Sequence, residues 1–157
     1  MRTLLIGFAI FLAVIFCQKT NNRARLLQSS NLARILLAKK RNIANMNELA
    51  YDISLEKLAR TELAKYTVCE LPEMITGQVP EVEILTNGNK LLAKEFLAVP
   101  GRTRIAFIRH PCVAKYPDIH VMIADSNDKV LILNGAPGTR CPENRPFVRD
   151  GLCGVPK

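Results

Sequence analysis

The side chains of this chain that could carry out chemistry are mainly its five cysteines and two histidines. Zinc sites need closely spaced ligands, but no two cysteines have C-x-x-C spacing, and His110 and His120 lie too far apart for a ligand pair. Each histidine is better explained as a surface or half-buried polar residue of a strand. No G-x-S-x-G element and no set of nucleophile, base and orienting group can be assembled. The sequence therefore predicts no catalytic residues, no metal site and no cofactor.

The N-terminus carries the pattern of a secretory signal peptide. Arg2 is followed by an uncharged apolar run from Leu4 to Phe16, which is long enough for the core of such a peptide and short for a membrane span. We expect residues 1–17 to be removed and the mature chain to be secreted, without an integral membrane segment. Ile15 stands where a small residue is usual, which leaves the cleavage position open by several residues. An uncleaved anchor is the alternative interpretation.

Four cysteines remain beyond the signal peptide: Cys69, Cys112, Cys141 and Cys153. An even number of cysteines in an oxidising compartment is typical of disulfide bonds, and two bonds allow three connectivities. The length of residues 18–157 suits one compact domain with a real core. We therefore expect a single disulfide-bonded extracellular domain.

The basic residues are spread along the chain, which has a formal net charge of +8. The tightest cluster, Lys39-Lys40-Arg41, ends a predicted helix, where the helix dipole favours cations. We therefore expect no nucleic-acid partner. A tribasic processing site in the secretory pathway is the other interpretation of this cluster.

Apolar residues at helical spacing predict two helices in the first half of the domain. The first runs from Asn22 to Lys40 and is expected to dock on a sheet through Leu32, Leu36 and Leu37. Asp52 is placed to cap the second helix, on which Glu56 is expected to face solvent. The apolar face of this second helix consists of Leu55, Leu58, Ala59, Leu63 and Tyr66. Asn45 is expected to fix the chain as it turns from one helix to the other.

The second half of the chain predicts mainly strands. After a loop at residues 70–80 come a short strand at Val82–Leu85 and a helix at Lys90–Leu97, which ends before Pro100. Three further strands are predicted, at Arg104–Arg109, Ile119–Ala124 and Lys129–Leu133, with the last two joined by a polar hairpin turn at residues 125–128. Residues 134–157 predict an irregular arm fixed by Cys141 and Cys153. Helices followed by an antiparallel sheet indicate an α+β domain.

The strongest pattern in the chain joins the two first helices. Asn31-Leu32-Ala33-Arg34 is followed by Ala38 and by the segment Ile43–Ala59, which reads N-M-N-E-L-x-Y-D-x-x-L-E-x-L-A from Asn45. This pattern resembles the first third of a CAP (SCP) domain, the fold of cysteine-rich secretory proteins, venom allergens and plant pathogenesis-related proteins. Weaker likenesses lie at residues 103–109 and 133–138. The resemblance, which is nearest to short secreted nematode forms, implies a three-layer α-β-α sandwich with an antiparallel sheet.

Members of that family usually keep a cavity with two histidines and two acidic residues, which in some members holds a divalent cation. Here Ser30 stands at the first histidine position and Ala98 in the region of the second, while Glu95 is the only plausible surviving acid. This degenerate tetrad predicts no metal binding. The resemblance implies that a ligand groove, if kept, is formed by Ser30, Arg34, Glu95 and Ala98. It also implies a Cys69–Cys112 bridge. We predict a second bridge, Cys141–Cys153, because it would close a short C-terminal arm that has little structure of its own.

The preferred interpretation is a secreted, non-catalytic CAP-like protein that binds a protein partner or an apolar small molecule such as a lipid or sterol. A cationic defence or membrane-surface protein is the alternative, and it requires the basic residues to gather on one face. A cystatin-like protease inhibitor is a further alternative, because Thr76-Gly77-Gln78-Val79-Pro80 faintly resembles an inhibitory Q-x-V-x-G loop.

Overall fold

The computed structural model describes residues 2–66, 71–76, 82–86, 90–111, 119–126 and 129–156, with side chains from residue 22 onward except residue 90. These residues form three helices, α1 (Arg2–Arg41), α2 (Ile53–Leu63) and α3 (Lys90–Ala98). They also form seven strands: β1 (Ala50–Tyr51), β2 (Met74–Ile75), β3 (Val82–Thr86), β4 (Arg104–His110), β5 (Ile119–Asp125), β6 (Phe147–Arg149) and β7 (Leu152–Gly154). The three predicted helices are confirmed, and α1 continues without a break from the predicted signal peptide.

The main sheet has five strands in the order β1-β4-β5-β3-β2. The expectation of a wholly antiparallel sheet is wrong at one edge, because β1 pairs with β4 in parallel, Ala50 opposite Arg104. Parallel neighbours need a long crossover, and the chain between them passes through α2, β2, β3 and α3. The strands β1 and β2 were not predicted, since two residues are too few to show an alternating pattern.

The predicted strand at Lys129–Leu133 is also wrong. Both edges of β5 are already occupied, by β4 on one side and β3 on the other, so no edge is left for a hairpin partner. Residues 131–133 instead cross the surface with their side chains exposed, and residues 127 and 128 of the predicted turn lie outside the described part of the chain. The C-terminal arm is more regular than expected, because β6 and β7 form an antiparallel hairpin within it.

Alternation along the central strands separates two apolar clusters. In β5, Val121 and Ile123 belong to the cluster that includes α2, whereas Met122 and Ala124 pack in the cluster that includes α1 and α3. The α2 cluster consists of Leu55, Ala59, Leu63, Ile75, Val82, Ile84, Ala106, Ile108, Ile119, Val121 and Ile123. The buried residues of the other are Leu37, Ala38, Ile43, Met46, Leu49, Leu85, Phe96, Leu97, Ala98, Ile105, Ala124 and Leu152. The fold is therefore a mixed α+β domain in which helices cover both groups of inward-facing side chains.

The predicted docking face of α1 is largely wrong. Leu32 and Leu36 are 56% and 59% exposed, and of the predicted contacts only Leu37 is buried. The buried face carries Ser30, Arg34, Leu37 and Ala38, whose spacing follows the helical period. Leucines lie all around this helix, so hydrophobicity alone did not identify the inner face, and two polar residues occupy its centre.

The N-cap of α2 is confirmed. Asp52 has extended backbone angles, and its Oδ1 accepts hydrogen bonds from the Ser54 backbone N–H at 2.8 Å and the Ser54 hydroxyl at 2.6 Å. The Arg104 guanidinium lies 3.1 Å from the other carboxylate oxygen, which ties the start of α2 to the start of β4. The Ser54 hydrogen bonds, and then Arg104, hold the pKa of Asp52 below its ordinary value of 3.8.

Replacing Asp52 by alanine is expected to lower the free energy of unfolding by about 1 kcal/mol at neutral pH, because the cap is lost. A carboxylate with a lowered pKa stabilises the fold above its ordinary pKa and loses this contribution as the pH falls through the folded-state pKa. The difference between the wild type and Asp52→Ala should therefore be complete at neutral pH and shrink in acid. Urea denaturation at neutral and at acidic pH measures this difference, and replacement of the exposed Glu73 by alanine is the control. A difference independent of pH would contradict this role.

Candidate functional site

Arg34 is fully buried beneath the junction between α1 and β1. Its guanidinium donates to five backbone carbonyls, those of Asn47 (2.9 Å), Leu97 (2.7 Å), Val99 (3.0 Å), Pro100 (3.2 Å) and Arg102 (3.4 Å). Burial, together with repulsion from Arg102, lowers its pKa to about 9, so the side chain remains a cation at neutral pH. Its donors are directed at the protein's own main chain, which makes Arg34 a clamp between α1 and the loop after α3.

The other three residues of the groove expected from the sequence differ in exposure. Ser30 and Ala98 are buried, and Arg34 contacts the carbonyls on either side of Ala98. Glu95 lies on the surface and forms a two-pronged ion pair with Arg41, at 2.5 and 3.0 Å, which lowers the pKa of Glu95. None of the four residues lines any of the cavities described below.

Asparagine side chains imitate strand pairing around the same junction. The Asn31 amide exchanges two hydrogen bonds with the backbone of Leu49, at 2.9 and 3.0 Å. The Asn45 amide donates to the Leu131 carbonyl at 2.8 Å and accepts from the Leu133 N–H at 3.0 Å. Asn45 was expected to fix the turn after the first helix, and these bonds attach that turn to residues 131–133. The motif residues Asn31, Arg34 and Asn45 therefore hold the chain together.

A second polar cluster joins α1 to α2. Glu56 was expected to face solvent, but it is buried. Its carboxylate accepts two hydrogen bonds from Arg23, at 2.7 and 2.9 Å, and one from the Tyr51 hydroxyl at 2.7 Å. Burial, and then the carboxylate of Glu56, raise the pKa of Tyr51. This cluster attaches α1, at Arg23, to α2, and the Tyr51 hydroxyl links it to Phe107 of β4.

Two adjoining cavities lie between that part of α1 and the sheet, and we call them together the helix–sheet groove. Their volumes are about 280 and 510 Å³, and they share Leu26, Phe107, Ile108 and His120. The smaller cavity adds Leu85, Val121 and Met122, and the larger adds Asn22, Arg25, Ser29 and Arg109. Volumes of this order are those of small-molecule sites. Apart from His120, the side chains that line the smaller cavity are apolar, and we call this surface the floor of the helix–sheet groove.

Three basic side chains border the helix–sheet groove. Arg109 and His120 are paired across β4 and β5 and are both exposed, and Arg25 faces them from α1. Leu26 is 43% exposed, so an apolar surface is open to solvent next to these side chains. Sequence reasoning assigned His120 to a strand surface but missed the groove. Its walls come from residues about 80 to 100 positions apart, and no local pattern marks such a pair of surfaces.

A cleft of about 680 Å³ lies elsewhere, between residues 129–133 and 140–145. Lys129, Arg140 and Arg145 line it, together with the acidic Glu143. Leu131, which is 78% exposed, stands at its border. A further cavity of about 480 Å³ separates α1 from the β6–β7 hairpin.

Cys141 and Cys153 are joined by a disulfide bond, the pairing expected for the C-terminal arm. Cys69 and Cys112 lie outside the described residues, as do residues 77–80 of the segment compared with a cystatin loop. Among the described residues, no group of three or more His, Cys, Asp and Glu side chains could hold a metal ion. No helix in the part of the chain with described side chains has the length and hydropathy of a membrane span.

The fold is similar to that in the crystal structure of hookworm platelet inhibitor. The two chains align with a TM-score of 0.61 and 15% sequence identity, over 87% of this chain and 92% of that one. No protein-family model matches the sequence, and no curated protein matches it either. At this identity the similarity shows the fold alone.

Proposed function

We propose that this chain is a secreted, non-catalytic CAP-like domain that binds an anionic amphiphile, such as a fatty acid, in the helix–sheet groove. Residues 1–17 are its signal peptide, and residues 18–157 are a single three-layer α-β-α domain. The likeness to hookworm platelet inhibitor supports the fold, and the Cys141–Cys153 disulfide supports an oxidising compartment.

The observation that carries the proposal is the combination of an apolar floor with a basic border. Leu26 and Met122 offer surface to an acyl chain, and burial of such a chain stabilises a complex by about 0.8 kcal/mol per methylene group. Arg25 lies at one end of the same groove, where a carboxylate would sit. A guanidinium binds a carboxylate through paired hydrogen bonds. The groove therefore favours a long apolar molecule with one negative end.

The cationic membrane-surface alternative receives less support from the arrangement of charges. Arg34 is buried, and five other arginines form ion pairs within the domain. These are Arg23, Arg41, Arg102, Arg104 and Arg149. The charge of these six arginines is thus used in contacts within the domain and is less available to an anionic surface.

Displacement of a dansyl-labelled fatty acid by oleate tests this function on the oxidised, delipidated protein. Oleate is expected to displace the probe, and Leu26→Asp is expected to weaken oleate binding roughly tenfold or more, which corresponds to about 1.4 kcal/mol. The aspartate places a charge on the apolar floor and next to the ligand's carboxylate. Leu36→Asp is the matched control, because Leu36 is also exposed on the same helix and borders none of the described cavities.

Oleyl alcohol separates the two halves of the site, since it keeps the chain and lacks the charge. It is expected to bind more weakly than oleate to the wild type, and Arg25→Gln is expected to reduce that difference. Absence of probe displacement, or equal losses in Leu26→Asp and Leu36→Asp, would exclude the helix–sheet groove as the site.

A further inference from the structure

Residues 131–133 belong to no strand, but hydrogen bonds attach one side of their backbone to the turn after α1, apart from the helix–sheet groove. The Asn45 amide binds the Leu131 carbonyl and the Leu133 N–H, as a neighbouring residue does in a parallel ladder. The Leu133 carbonyl accepts from the Ala44 N–H at 2.7 Å on the same side. Backbone groups alternate in direction along an extended segment, so the N–H and C=O of Ile132 face the opposite side. Within the described part of the chain, these two groups have no hydrogen-bond partner.

The side chains around this unpaired side of Ile132, which we call the Ile132 edge, are apolar and exposed. Leu131, Ile132 and Leu133 are 78%, 54% and 38% exposed, and each is a large apolar side chain. Proteins usually cover or charge such an edge, because it offers a template for another strand. An exposed apolar run beside unpaired backbone groups is typical of surfaces that bind an extended peptide by strand addition.

The charge of the adjacent cleft indicates which peptide would bind. Lys129 and Arg140 are exposed at the cleft and Arg145 lies in its wall, and among the described residues that line the cleft Glu143 is the one carboxylate. A second copy of this chain, whose formal net charge is +8, would bring like charges together. Charge complementarity therefore favours an acidic partner over self-association.

We propose that the Ile132 edge and the neighbouring cleft bind an extended segment of a partner protein in which apolar and acidic residues alternate. The partner's backbone pairs with Ile132, and its apolar side chains cover Ile132 on one face. Its carboxylates, on the other face, reach Lys129 and Arg140, which line the cleft together with Leu131. This site is independent of ligand binding in the helix–sheet groove.

The test is an NMR titration of the full oxidised protein with a short, capped peptide of alternating valine and glutamate. Amide shifts are expected to change at residues 129–133 and 140–145, and the Ile132 amide is expected to exchange more slowly with solvent when bound. A peptide of alternating valine and lysine should produce neither effect. Shifts elsewhere, or equal binding of the two peptides, would overturn the proposal.

Two variants test the backbone and the charges separately. Ile132→Pro removes the N–H donor and is expected to weaken binding roughly tenfold. The double variant Lys129→Glu/Arg140→Glu is expected to abolish binding, whereas Lys57→Glu/Arg60→Glu, the same charge change on the exposed side of α2, should leave it intact. Equal effects of the two double variants would contradict a local site. If sedimentation showed that the wild type is a dimer and Ile132→Pro a monomer, the occupant of this site would be a second copy of the chain and not a partner peptide.

Discussion

Replacing Arg34 by methionine is expected to lower the free energy of unfolding by about 3–5 kcal/mol, because each buried polar group left without a partner costs about 1–3 kcal/mol. Five carbonyls, at the end of α3, in the loop after it and before β1, would lose the guanidinium that they share, although the Pro100 carbonyl keeps the Asn47 N–H. Methionine fills part of the space but offers no N–H group. Buried carbonyls without partners retain their full desolvation cost, so the loss should exceed that of an ordinary surface change.

Arg34→Lys separates charge from geometry. Lysine keeps the positive charge, but its three donors on a flexible stem cannot reproduce the planar fork of arginine, so most of the loss should remain. Chemical denaturation of both variants measures the effect. Arg25→Lys is the control because Arg25 is exposed on the same helix. Denaturation midpoints of the Arg34 variants that match the control would remove Arg34 as the clamp between α1 and the loop after α3.

Replacing Leu37 by alanine is expected to cost about 2–5 kcal/mol, whereas the same change at the adjacent Leu36 should cost no more than about 0.5 kcal/mol. Leu37 is 9% exposed and belongs to the core cluster with Phe96 and Leu97. Leu36 is 59% exposed, so truncation there leaves no cavity. The pair compares the same substitution at an exposed and at a buried position of one helix.

Equilibrium unfolding in urea measures both free energies on the same scale. The difference between the two losses of free energy reports burial, because the same truncation changes helix propensity equally at both positions. A larger loss at Leu36 than at Leu37 would mean that α1 docks through the face that carries Leu32 and Leu36. It would also displace Arg34 from the interior, since Arg34 and Leu37 share one face.

The residues on which the CAP resemblance rests are mostly structural here. Asn31, Arg34 and Asn45 hold backbone segments that are distant in sequence. Ser30 and Ala98, at the positions compared with the family's histidines, are buried side chains without a ligating group. The likeness to hookworm platelet inhibitor, at 15% identity, concerns the fold and not these side chains.

Local features of this protein were determined by the sequence. The Asp52 cap, the end of α3 before Pro100, and the strands β3, β4 and β5 agree with their predictions. The physical reason is that caps, helix ends and alternating apolar patterns involve residues a few positions apart. The Cys141–Cys153 bond likewise closes a short arm.

The tertiary structure decided everything that depends on which segments become neighbours. Leu32 and Leu36 have the composition of core residues but are exposed, because only the packing of Arg34 and Leu37 against distant segments selects the inner face of α1. Residues 131–133 have the pattern of a strand, yet β5 was already paired on both sides. The helix–sheet groove also depends on tertiary structure, because its walls come from α1, β4 and β5. Hydrophobic burial is non-directional, so an apolar residue in the sequence does not specify its partner, and the fold assigns it.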